Sequence, residues 1–154
     1  MQSYISTKLV KAKPMTRGKY NKYRGWTIPA NENPSDEGYL IEYQDGYISW
    51  CPKEQFEKYN LKVDDNKNLP SGVSIGFDMV NKFIKETHVS TLGDKTTLVR
   101  VILVNGFEIV ESTGCVDKSN YSEAIGTEIC LKKIKDKIWC LLGFLLQTAY
   151  EGVN

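Results

Sequence analysis

The feature that most constrains this chain is one apolar-faced stretch from about Asn120 to Tyr150, entered from a strand pair closed on Asn105-Gly106. Helical throughout, it is ~30 residues and roughly 45 Å long at 1.5 Å per residue, more than a domain of this size needs to cover its own core. Ile134, Ile138, Leu141, Leu145 and Ala149 form one stripe at steps of three and four. Ile138 to Leu146 is apolar on every side, which predicts burial all round. The run falls short of the ~20 apolar residues a bilayer requires, so another protein chain is the expected neighbour and no membrane is expected.

The rest of the chain reads as shorter units. Tyr4 to Lys13 predicts a strand that Pro14 ends, and Thr16 caps a short helix through Tyr23 that Gly18 weakens. Trp26 to Ser35 predicts an irregular connection. Gly38 to Tyr43 and Tyr47 to Trp50 predict a hairpin across Asp45-Gly46, and Pro52 opens a short helix. Residues 60–72 are polar and turn-rich, which reads as a linker. Ile75, Met79, Val80 and Phe83 predict a helix from Ser74 to Glu86. Thr96 to Val104 and Phe107 to Ser112 predict a second hairpin, with Asn105-Gly106 suited to a type I′ turn. Asn120 and Glu123 resemble a capping box. The expected fold is α+β: a β-rich module over 1–59, a small antiparallel sheet or barrel-like, then a linker over 60–72, and a helix, hairpin and long oligomerising helix over 73–154.

Twenty basic and nineteen acidic side chains leave the chain nearly neutral, which argues against a dedicated duplex nucleic-acid binder. Locally, Lys8, Lys11, Lys13, Arg17, Lys19, Lys22 and Arg24 precede the first acidic residue, with Tyr20 and Tyr23 among them. The segment reads as a basic binding face or as a solvated strand and turn. There is no signal-peptide core at the N-terminus, so a cytoplasmic location is expected. Cys51, Cys115, Cys130 and Cys140 have no metal-ligand spacing and are expected to stay reduced.

His88 is the only histidine, which excludes histidine-rich metal sites; it reads as a loop residue after a helix. Neither standard phosphate loop is present. Asp64-Asp65 reads as a solvated pair in the linker. The cluster Asn105, Gly106, Phe107, Glu111, Ser112, Thr113, Gly114 and Cys115 suits a nucleobase and its phosphates, or simply a tight turn and a bent strand. Arg100, mid-strand among apolar neighbours, needs a carboxylate or a ligand phosphate as partner.

Two segments carry resemblances. Residues 4–59, with the run from Lys13 to Pro29, Asn33-Pro34, Asp36 to Leu40 and Tyr47 to Lys53, resemble a module of small phage and prophage proteins. Residues 97–148, with Asn105 to Val110, Gly114 to Asp117, Ile125-Gly126 and Lys137 to Trp139, resemble a second small phage family of hairpin-plus-long-helix type. The combination is similar to the Thoeris anti-defence one sponges, phage or prophage proteins that sequester the cyclic ADP-ribose-like signal of bacterial TIR-domain enzymes. This resemblance implies a hexamer with paired helices in the host bacterial cytoplasm and ligand pockets between protomers. In some members it also implies sites for cyclic trinucleotides on threefold axes. It implies binding without cleavage, hence no enzyme and no cofactor, with Arg24, Phe107, Thr113, Asn105 and Arg100 as ligand contacts by motif region. The competing expectations are a nucleic-acid- or protein-binding regulator and a hydrolase that degrades the signal.

Overall fold

The computed structural model describes residues 1–154, which divide into two compact units. One comprises Met1–Lys62 with Thr148–Asn154, the other Val63–Gln147. The fold class is α+β, with small antiparallel sheets and a long C-terminal helix.

In the first unit, β1 (Lys11–Pro14), β2 (Gly38–Glu42) and β3 (Ile48–Pro52) form an open three-stranded sheet in the order β1-β2-β3, with no barrel closure. The first strand is shorter than its alternation predicts: it begins at Lys11, and Pro14 still pairs with Tyr39 as the last rung. Helix α1 (Arg17–Tyr23) is capped by Thr16, whose side chain accepts from the Lys19 N–H, and α2 (Lys53–Tyr59) follows Pro52.

Both hairpin turns are built alike, and neither is type I′. Gly46 N–H donates to the Tyr43 carbonyl and Tyr43 N–H to Tyr47; Gly106 N–H donates to Leu103 and Leu103 N–H to Phe107. No residue other than glycine has positive φ, whereas Gly46 and Gly106 lie at +82° and +83°. Each loop is therefore a type I turn closed by a left-handed glycine in a G1 bulge.

In the second unit, β4 (Asp64–Asp65) pairs with β5 (Val73–Ser74), so the segment read as a linker contains half of a two-residue ladder. Helix α3 (Phe77–Phe83) is shorter than expected at both ends: Ser74 is taken by β5 and Gly76 stands at the N-cap, while Ile84 leaves directly for β6 (Ile84–Leu92). That strand was not anticipated. Its pairing with β7 (Thr96–Leu103) takes Lys85 and Glu86 out of the expected helix and places His88 on a strand opposite Arg100 rather than in a loop. Strand β8 (Glu108–Gly114) completes a sheet in the order β6-β7-β8.

Helix α4 (Glu123–Glu151) covers this sheet and starts later than expected. Asn120 sits in a 3₁₀ turn, and Ser122 takes the capping position, its Oγ accepting from the Ile125 N–H at 3.4 Å. The core is sealed by Gly126, Cys130, Ile134, Ile138 and Leu142, spaced four apart, against Val99, Val101, Leu103, Ile109, Met79 and Val80. Gly126 is needed for this approach, since a Cβ there would collide with the Thr97 side chain. The buried line thus passes through Leu142, which is 3% exposed, and not through Leu141 and Leu145. The run Ile138 to Leu146 is consequently not buried all round: Trp139, Leu141 and Leu145 are exposed.

Candidate functional site

The first unit has an open groove of about 610 Å³ beside α1, lined by Arg17, Asn21, Gly25, Trp26, Thr27, Pro29 and Glu32. Its walls follow from two local devices. The first is a Schellman ending of α1: Arg24 is the C-cap, Gly25 takes φ +70°, Gly25 N–H donates to Lys22 and Trp26 N–H to Asn21. This turns Trp26 back onto the helix end, where it meets Tyr20 edge-on at 5.9 Å between ring centroids. The second is Gly18, whose missing Cβ admits Pro34; the Gly18 and Arg17 N–H groups donate to the Pro34 and Asp36 carbonyls. The free N–H groups of the first turn are satisfied by the returning loop.

That loop delivers Glu32. Its carboxylate accepts from Arg17 Nε at 2.8 Å and Nη2 at 2.5 Å, and from Asn21 Nδ2 at 2.9 Å. The Arg17 guanidinium, together with the Asn21 amide, lowers the Glu32 pKa from an ordinary 4.5 to about 2. A lowered folded-state pKa means stability that is present above about pH 4.5 and lost as pH falls towards 2. The Glu32 side-chain carboxyl should accordingly titrate near pH 2 by NMR, and Glu32→Gln should remove that part of the acid sensitivity. A midpoint near 4.5 would mean that the ion pair does not persist in solution.

Arg17 and Glu32, the two charged side chains that line the groove, neutralise each other. Arg24 lies over the Trp26 ring with its guanidinium carbon 4.9 Å from the centroid, and Trp26 is 52% exposed. No acidic group is an ion-pair partner of Arg24.

The other four expected ligand residues lie in the second unit, and the sheet does not bring them together. The Asn105 side chain accepts from the Phe107 N–H at 3.1 Å, so it braces the turn. Phe107 is 56% exposed at that turn. Thr113 lies six residues further along β8, roughly 20 Å at ~3.4 Å per residue. Arg100 stands opposite Val110, so it occupies the face away from Thr113, which is paired with the buried Thr97. Its partner is a carboxylate: Glu108, on the diagonal of the ladder, accepts from Nη1 at 3.0 and 3.2 Å. On the helix side, Lys137 pairs with Glu111 and holds its carboxyl below the usual range.

Sequence reasoning passed over Trp26. The signal was there in Lys22-Tyr-Arg-Gly-Trp26, a glycine two residues past a helical segment and followed by an aromatic.

Residues 75–150 match the model of a phage protein family, described as N4 Gp49/phage Sf6 gene 66. This is a phage-type protein. The phage-family match takes in α3, the β6-β7-β8 sheet and nearly all of α4, the part that the hairpin-plus-long-helix resemblance concerned. It carries phage origin and specifies no ligand. No curated protein and no solved structure matches the chain.

Proposed function

We propose that the protein is a phage anti-defence sponge that binds cyclic nucleotide immune signals in the host bacterial cytoplasm and holds them without cleavage. The ligands are cyclic ADP-ribose isomers from TIR enzymes, with cyclic oligonucleotides as a second class. The observation that carries this reading is the exposed apolar side of α4, with Trp139, Leu141 and Leu145 outward, which leaves a helix face for a second copy as the sponge resemblance implies. A second copy packed on that face would bury Leu141 and Leu145 and would let residues from more than one copy, the exposed Phe107 among them, contribute to one pocket. The assembly proposed is a hexamer, in line with the sponge resemblance. An interface pocket suits a protein that lowers free signal by stoichiometric binding.

The deciding experiment incubates the protein with candidate cyclic nucleotides, denatures it by heat and weighs the released ligand. Intact release supports a sponge; altered mass makes the protein an enzyme; absence of depletion sinks the reading. Residue by residue, Phe107→Ala should keep its melting temperature within a few degrees, because the ring is more than half exposed. It should lose about 1 to 3 kcal/mol of ligand affinity if the ring stacks on a base. Arg24→Ala should lose about 1.5 to 3 kcal/mol, the cost of a charged hydrogen bond to phosphate. Unchanged binding in calorimetry returns either residue to a scaffold role.

A further inference from the structure

We infer that the outer face of α1 and the Trp26 corner form a second binding surface, specific for single-stranded nucleic acid. This does not rest on the sponge reading, with which it shares Arg24 alone. Three observations meet at one place. Lys19, Lys22 and Tyr23 are all exposed and spaced by three and four residues, so they share the solvent side of α1. The Schellman turn then fixes Trp26 half exposed beside the helix end with Arg24 stacked on its ring. Glu32, the first acidic residue of the chain, is internally neutralised by Arg17 and Asn21.

The chemistry selects the occupant. A half-exposed ring held edge-on by Tyr20 and flanked by the Arg24 guanidinium is a stacking platform, and every base offers a π-face to it. Cations on one helical face track phosphates. A duplex keeps its bases stacked on one another and offers Trp26 only backbone, so the aromatic part of the surface is used by single strands alone. An acidic peptide would satisfy the lysines but leave the exposed rings without a stacking partner.

The test is fluorescence anisotropy of a fluorescein-labelled twelve-residue oligo(dT) with the full-length protein at low salt, repeated with a duplex of equal length and with dTMP as competitor. Binding is expected to weaken with salt with a logarithmic slope near −2, from about three neutralised phosphates at ~0.7 each. Trp26→Ala should weaken it about tenfold or more, while Trp26→Phe, which keeps a ring, should retain most of it. Lys22→Gln with Arg24→Gln should flatten the salt slope. The inference is overturned if the oligonucleotide does not bind, if the duplex binds equally well, if Trp26→Ala binds like the parent, or if dTMP competes as effectively per molecule as the twelve-residue strand. An acidic peptide that displaces the strand more effectively than unlabelled oligo(dT) overturns it too. Loss of cyclic-nucleotide capture with strand binding intact would sink the sponge reading alone.

Discussion

Ile134→Ala is expected to lower the stability of the C-terminal unit by about 2 to 5 kcal/mol, because the side chain is fully buried between α4 and the β7 face and its removal leaves a cavity. A native domain has only about 5 to 15 kcal/mol in total, so this one change removes a large share. At roughly 4 to 8 °C per kcal/mol for a unit of this size, the melting temperature should fall by about 8 to 40 °C. Lys132→Ala, on the exposed side of the same helix, should stay within about 0.5 kcal/mol. Urea unfolding of the two variants checks the contrast; a loss below about 1 kcal/mol for Ile134→Ala would mean that α4 does not seal this core.

The second large effect is on assembly. Leu141→Glu combined with Leu145→Glu should convert an oligomer into a folded monomer, because both side chains lie outside the buried line and their charges would be trapped in an apolar contact. Leu142→Glu should behave differently. That residue faces the unit's own core, so a carboxylate there should unfold the unit rather than release a subunit. Light scattering and circular dichroism separate the two outcomes. A monodisperse monomer for the parent chain, or an oligomer undisturbed by the double substitution, would remove α4 as the interface.

Much of the architecture is legible in the residues that have few alternatives. Asp45-Gly46 and Asn105-Gly106 mark both hairpins, because a chain reversing within three residues needs a left-handed position that glycine fills. The turn type was harder to read, since the same dipeptide serves type I′ and G1 loops. The long helix is legible from its apolar period. Its buried line is less so: Leu141, Leu142 and Leu145 are equally apolar, and only the direction of the sheet beneath decides among them. Strand β6 was hidden because Lys85-Glu-Thr-His-Val-Ser-Thr91 is mostly polar, as an edge strand exposed along almost its whole length is free to be. The sequence named Arg100's need for a partner without being able to choose Glu108, which lies eight residues away in the chain and adjacent only through the ladder. Arg24 was legible as a cation; its ring partner depended on a helix ending that propensity alone does not locate.

The grouping of Thr148–Asn154 with the first unit makes that unit discontinuous in sequence. Leu9 N–H donates to the carbonyl of Ala149 at 3.0 Å, so the last turns of α4 are tied to the segment that precedes β1. The second unit, Val63–Gln147, is contiguous, whereas the first is assembled from two stretches separated by the whole of the second. Removing Thr148–Asn154 would therefore take the acceptor of the Leu9 N–H from the first unit while leaving every residue of the second in place.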